Sequence, residues 1–436
     1  MSSSAASHSG TAIRQIAIQQ TVEAQLQTYA RFGVDLGLDR INAVLHNLGA
    51  PQQQVPIIHV AGTNGKGSVC AYLSAILTAA GYKTGRYTSP HLVNWTERIC
   101  INGQPISWED LQATLNTVEA AISTEGPVPT QFEVFTAAAW QYFAQQQVDI
   151  AVVEVGLGGR LDATNVCDRP LATLIVSISR DHWQRLGSTL AEIAGEKAGI
   201  LKPGVPAIAG PLPPEAAAVV SDRAAALSVP LSWITPAEVV NDTQDGLQTL
   251  CYGGIDYPQT LLGDHQRVNS ACAIAAIQAL QDKGWDISAT AIQQGMANVR
   301  WPGRLQKTRW QGHPLLIDGA HNPDSARSLR TYIDRTYPDR AITWLIGMLQ
   351  TKDHAEVFQA LLRERDRLHL VPVPGHSSAA PEDLAAIAQT VSASIHTQIH
   401  PDLETALAIA TQTQPIVLCG SLYLIGRFYE RWPDSF

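Results

Sequence analysis

Charged side chains are scarce in this 436-residue chain, at 16% of the residues, while hydrophobic residues reach 45%. Soluble domains usually carry about a quarter charged residues, so this balance excludes a disordered chain and supplies ample material for buried cores. Positive charge is the scarcer sign: 30 Lys and Arg against 39 Asp and Glu leave a formal net charge of −9. No global positive field exists to hold a nucleic-acid backbone or an anionic membrane, and an anionic substrate must be drawn in by local groups. Cysteine is sparse too. The six, Cys70, Cys100, Cys167, Cys251, Cys272 and Cys419, stand without a C-x-x-C or zinc spacing. That argues against a disulfide frame or a structural zinc, and for free thiols in a reducing compartment. No run approaches the roughly 18 uninterrupted apolar residues of a membrane span, and the opening MSSSAASHSGTA lacks an apolar leader core. A cytoplasmic protein without nucleic-acid or membrane partners is expected.

What is present is a strand-helix alternation too long for one core, since single cores stop growing near about 250 to 300 residues. The pattern turns helical from about Thr21, and 39–48 places Ile41, Val44, Leu45 and Leu48 on one face before Gly49 and Pro51. The nearly continuous apolar run 55–61 (VPIIHVA) reads as a strand buried on both faces, leading through a Gly-rich loop into a helix over 68–80. Further buried strands are expected at 83–88, 149–155, 172–178 and 205–209, with helices at 110–122 and 135–146. Such alternation predicts a parallel sheet covered by helices. Residues 241–262 look like a small antiparallel excursion, and 263–280 like a helix. RWPGR (300–304) breaks the pattern. The expected division is a domain over 1–299, a linker over 300–306, and a smaller α/β domain over 307–436. In that second domain, strands are expected at 315–317, 341–346, 368–373, 396–399 and 416–419, and helices at 355–364, 381–391 and 403–411.

The chemistry gathers where strands end. Between the first strand and its helix the chain reads Gly62-Thr63-Asn64-Gly65-Lys66-Gly67-Ser68. This departs from the usual P-loop, because Val60 replaces the first glycine and Gly67 separates the lysine from the serine. The physics survives: glycines let backbone N–H groups turn toward a phosphate, a helix N-terminus adds partial positive charge, and Lys66 supplies a point charge. Glu154 closes the apolar strand AVVEV, where an acid reaches a nucleotide-bound metal or simply faces water. His182 follows the next strand, in Arg180-Asp181-His182, as a structural imidazole or a less usual magnesium ligand. Ligands of open α/β sheets collect at these carboxyl ends. Lys197 sits in a helical stretch (191–199), where a lysine is ordinarily a solvated side chain, and its spacing marks nothing. Asp318 and His321, in DGAHNP (318–323), again follow a short strand and precede a helix, which Asp324 could cap.

Taken together, GTNGKGS (62–68), TSPHL (88–92), ERI (97–99), EVGLGGRLDATN (154–165), the DH, LG, EKAGI and KP groups of 181–203, PGR (302–304), DGAHNP (318–323), IGML (346–349) and CGS (419–421) resemble, in order, the folylpolyglutamate synthase/dihydrofolate synthase family of the Mur-ligase-like superfamily. The resemblance implies an α/β fold with a P-loop-containing parallel-sheet N-terminal domain and a smaller Rossmann-like C-terminal domain. It implies an ATP-dependent ligase that adds L-glutamate to dihydropteroate, to reduced folates, or to both, through an acyl phosphate. Thr63, Asn64, Gly65 and Lys66 would cradle the ATP phosphates, Ser89, Glu154 and His182 would hold magnesium, two ions in all, and Lys197 matches the family's carbamylated lysine. Asn269 matches the residue facing the base, Arg304 and Asp318 match nucleotide contacts, and His321 stands near the reacting phosphoryl group. Asp35, Leu36, Gly37 and Leu38, then Thr130, Gln131, Phe132 and Glu133, then Leu161, Asp162 and Ala163 match segments that bind dihydropteroate. A monovalent cation and a monomeric state belong to the same expectation. Two positions depart: Gln306 stands where many relatives carry an acid, and Arg180 where a small or apolar residue is common. The alternatives are a Mur-type cell-wall ligase, whose loop usually reads GKT(T/S), and a nucleotide-dependent binding module.

Overall fold

A computed structural model describes residues 3–33, 35–242, 248–411 and 415–435. The largest sheet orders its strands β4-β3-β2-β5-β1-β6-β7-β8. In chain order these are β1 (Ile57–Ala61), β2 (Thr84–Tyr87), β3 (Ile99–Ile101), β4 (Gln104–Pro105), β5 (Ile150–Glu154), β6 (Ala172–Ile175), β7 (Ala207–Ala209) and β8 (Leu231–Trp233). The central strands are parallel, and β3 and β4 add an antiparallel edge. Period-two geometry explains why the strands read as continuous apolar runs. Ile58, Val60 and Val152 enter a core with the helices Lys66–Ala79, His265–Gln281 and Ala289–Asn298. Ile57, Ala151 and Val153 enter a second core, on the opposite face, with Ile41, Val44, Phe135 and Trp140.

Strands β9 (Glu238–Asp242), β10 (Gln248–Tyr252) and β11 (Ile255–Pro258) form the antiparallel excursion, whose expected turn at 243–247 lies outside the described residues. The last sheet runs β12-β13-β17-β14-β15-β16. Its strands are β12 (Gln306–Trp310), β13 (His313–Ile317), β14 (Thr343–Ile346), β15 (Arg367–Leu370), β16 (His396–Ile399) and β17 (Ile416–Cys419). It is parallel apart from the β12–β13 hairpin, and helices cover both faces through two separate cores.

Three sequence expectations change. The first helix spans Ser3–Ala30 rather than beginning near Thr21; among the described side chains its buried stripe is Val22, Leu26 and Tyr29, with Ile18 packed beside them. Strand β12 was not anticipated: QKTRW alternates polar residues at a sheet edge, buries only its last residue fully, and opens at the end of the expected linker. The helix Pro323–Thr336 is capped by Asn322, whose side chain accepts from the Ser325 N–H, and not by Asp324, which lies in its first turn. Among the described residues no helix is long and apolar enough to cross a membrane.

Candidate active site

The loop after β1 is built around Gly65. Its φ of +83° lies in the left-handed region, and a Cβ there would collide with Asn269 Oδ1 and stand 2.9 Å from Val176 Cγ1. Only glycine satisfies both the torsion and the space. The N–H of Thr63 donates to Ser177 O and that of Asn64 to Ser177 Oγ (2.9 Å), so these two residues tie the loop to the exit of β6. The N-terminal turn of Lys66–Ala79, half-buried at the cleft wall, and the Lys66 ammonium remain as the positive end facing the cleft. Lys66 Nζ donates to Gly62 O at 3.0 Å and Thr63 O at 3.2 Å and lies 3.9 Å from Glu154 Oε1. Gly65→Ala should weaken nucleotide binding by at least about tenfold, readable by calorimetry with a non-hydrolysable ATP analogue.

Glu154, at the end of β5, is buried, and burial raises its pKa against the opposing pull of Lys66. Its Oε2 accepts from the Ser89 N–H at 3.2 Å, which brings Ser89 to the carboxylate. Lys197 is buried in the helix Leu190–Ala198 and donates to Gly62 O at 2.9 Å, so the fold delivers it to the phosphate loop from below. Burial first, and the Lys66 charge second, push the Lys197 amine down to about 7. His182 has a half-exposed ring and precedes a single helical turn. Among the described residues, no group of three or more His, Cys, Asp and Glu could hold a metal by itself. A divalent ion here would need oxygens beyond that set, from hydroxyls, water or phosphate.

The second sheet brings its own edge to this loop. Asp318 Oδ2 accepts from the Leu305 N–H and Oδ1 from the Ala320 N–H, both at 2.9 Å, so the carboxylate fastens the linker to the turn. The Arg304 guanidinium lies in the same cleft. Asn322 Nδ2 donates to Asn64 Oδ1 at 2.9 Å, and His321 Nε2 lies 3.6 Å from Asp181 Oδ2. Asp181 also accepts from Asn322 Nδ2 at 3.1 Å and from Lys352 Nζ at 2.8 Å. Burial opposes ionisation, yet His321 and Lys352 hold the Asp181 carboxyl well below its ordinary range. This hub was missed from sequence. Its only signal was the acid directly before His182, and Lys352 carried none, because 171 residues separate the partners.

Loop, Glu154, Lys197, Asn269, Arg304, Asp318 and His321 line a cavity of about 320 Å³. A neighbouring cavity of about 400 Å³ is walled by Asp35, Leu36, Gly37, Thr130, Phe132, Glu133, Leu161, Asp162 and Ala163, and by Lys352 and Tyr423 from the second sheet's side. Ser89, Pro90, Gly156, Leu157, His182, His321 and Leu422 line both, so the two form one cleft. Arg40 spans Asp35 at 2.7 Å and Glu133 at 3.0 Å, joining two of the expected acceptor segments. Leu38 and Gln131 are not on this wall. Gln131 Nε2 turns to Leu26 O at 3.0 Å, and Leu38 packs against the helical core beneath. Asp162 is spent on the Leu157 and Thr164 N–H groups and the Thr164 hydroxyl, which shapes the loop. Gln306, in place of an acid, accepts from Gly303 N and Tyr429 OH and so braces the linker.

A glycine loop at the carboxyl edge of one parallel sheet, answered across a cleft by an acid-histidine turn from a second, defines a two-lobed nucleotide-dependent ligase of Mur-ligase-like fold. Residues 303–431 match the family described as "Dihydrofolate synthetase, C-terminal domain". The chain is 34% identical over 416 residues to the dihydrofolate synthase/folylpolyglutamate synthase of Bacillus subtilis, covering 92% of this chain and 96% of that protein. Among solved structures, Mycobacterium tuberculosis folylpolyglutamate synthase complexed with ADP and AMPPCP superposes with a TM-score of 0.84 at 32% identity, covering 96% of this chain and 98% of that one. Escherichia coli FolC in complex with DHPP and ADP gives 0.82 at 30% identity, covering 95% and 98%. The chain belongs to the dihydrofolate synthase/folylpolyglutamate synthase family.

Proposed function

We propose that this protein is an ATP-dependent ligase that joins L-glutamate to dihydropteroate and to reduced folates carrying one or more glutamates. The observation that carries the reading is the single cleft in which Ser89, His182 and His321 stand between the phosphate-loop cavity and the acceptor cavity. An acceptor carboxylate and a terminal phosphoryl group can meet only at such a junction. The carboxylate takes the γ-phosphoryl group of ATP, releasing ADP. The amine of glutamate then attacks the acyl carbon, and the tetrahedral intermediate expels phosphate as the amine loses its proton. Two anions must approach each other in the first step, so charge compensation matters more than acid-base chemistry.

Lys66, the helix N-terminus behind it and Arg304 would supply fixed positive charge to the phosphates, with Asn269 toward the base. Magnesium fits the donors present. Glu154 is a buried carboxylate whose nearest cation stands at 3.9 Å, beyond hydrogen-bond reach, and Ser89 sits on its other oxygen. We assign the ions to Ser89, Glu154, His182 and a carbamate on Lys197; when bound, they offset phosphate charge during transfer. An amine lowered to about 7 has a substantial neutral fraction near pH 7, the form that adds CO₂. Asp35, Phe132 and Ala163 with their neighbours would receive the pterin, and residues 1–299, 300–306 and 307–436 would act as nucleotide lobe, linker and glutamate lobe.

Labelled glutamate offered with each acceptor in turn tests the reading. A ligase couples ADP release to both acceptor and glutamate, whereas release indifferent to both would sink it. Asp181→Asn should lower turnover by at least about tenfold, since it strips a buried Lys352 of its counter-charge and loosens the contact between lobes. The expected signature in steady-state kinetics is a kcat loss that persists at saturating ATP.

A further inference from the structure

A third cavity, of about 700 Å³, lies against the linker and shares only Pro90, Arg304 and Leu422 with the phosphate-loop cavity. It opens to solvent, and a volume of this size is that of a ligand pocket. Its walls are the helix Lys66–Ala79, the helix Ala289–Asn298, the end of β2, β3 with the turn after it, and Trp301. Most of the lining is apolar, yet two of the lining residues, Thr78 and Arg86, each carry a buried side-chain atom, Oγ1 and Nε, without any hydrogen-bond partner. Buried polar atoms in folded proteins are overwhelmingly paired, so each exception asks for a reason.

Arg86 is the more telling of the two. Its guanidinium lies 5.0 Å from the Trp301 ring centroid and donates to Cys100 Sγ at 3.2 Å, and among the described residues no carboxylate comes within ion-pair distance of it. The acid on the same wall, Glu97, is already committed to the N–H groups of Leu92, Val93 and Asn94. Arg300, exposed at the rim, adds a second positive charge. An aromatic face, an unanswered cation and apolar walls select a flat anion. We propose that this cavity binds a planar aromatic carboxylate, with its ring against Trp301 and its carboxylate toward Arg86. Trp301 also packs on Gly67, so the occupant bears at once on the linker and on the first turn of the phosphate-loop helix.

Titration calorimetry of the full chain with 1-naphthoate tests this. One saturable site is expected, and Arg86→Gln and Ala75→Phe, which fills the cavity from the helix, should each weaken it by at least about tenfold. A crystal grown with 1-naphthoate should show it beside Trp301. Should Ala75→Phe fail to fold, Arg86→Gln and the crystal decide the matter. The absence of saturable binding, an affinity unchanged by Arg86→Gln, or density lodged beside Phe132 instead of Trp301 would each overturn the proposal.

Discussion

Lys197→Ala should reduce glutamate ligation by about a thousandfold, and millimolar acetate or formate should return part of the lost rate. The scale is that of removing one preorganised electrostatic group from an active site, about 10² to 10³ in turnover, extended because a metal contact goes with it. The fold makes the case: Lys197 is buried, its amine touches Gly62 O at 2.9 Å, and no carboxylate neutralises it at ion-pair distance among the described residues. A lysine kept there only for packing would be an odd choice, since desolvating an ammonium is costly. On the proposed reading, carbon dioxide on the neutral amine would resolve the cost by turning a buried cation into an oxygen ligand for a hard metal. Because the amine's pKa is lowered to about 7, the neutral, CO₂-accepting form is lost as pH falls through that value. Activity without added bicarbonate should therefore decline on the acid side of neutrality, and the Ala variant supplied with acetate should lack that limb. Steady-state product formation across pH reads both effects. Full activity in Lys197→Ala would remove the carbamate from the mechanism.

Glu154→Gln should separate activity from stability. Turnover should fall by about 10² to 10³, because the amide cannot supply the negative charge that, on the proposed reading, would hold a divalent ion beside Ser89 and opposite Lys66. Thermal stability should stay level or rise, since the carboxylate is buried and its raised pKa records the cost of keeping it ionised. With the folded pKa above the unfolded one, that cost is present at neutral pH and disappears as pH falls below the unfolded value. Tm of the wild type against the variant should therefore differ most near neutrality and converge in acid. Activity within tenfold of wild type would exclude Glu154 from the metal site.

Much of the fold was legible because buried parallel strands announce themselves. Ile57–Ala61 and Ile150–Glu154 are apolar on both faces, and a turn of glycines followed β1 where the helix began. Strand β12 was not legible, since a polar edge strand has neither face fully buried and so leaves no period to read. Among site residues, Lys66, Glu154 and His321 lay at strand ends and could be suspected from position. Lys197 could not. Only the motif resemblance singled it out, because a helical lysine looks the same in sequence whether its amine meets water or Gly62. Leu38 and Gln131 show the reverse case: they belong to matching segments, but Gln131 turns to Leu26 O and Leu38 to the helical core, and the cleft is lined by Gly37 and Phe132 instead.

The chain by itself determined the class of fold, the phosphate loop and the family, because those depend on local periodicity and on ordered short motifs. Which residues confront one another across the cleft was decided by the tertiary structure alone. Asp181 meets Lys352, and the Gly62 carbonyl, which Lys66 already reaches locally, takes Lys197, through the docking of elements far apart in the chain. Nothing in a linear pattern encodes such pairings. They arise from where two sheets end in space and from how strongly burial changes the charge preferences of the groups caught between them.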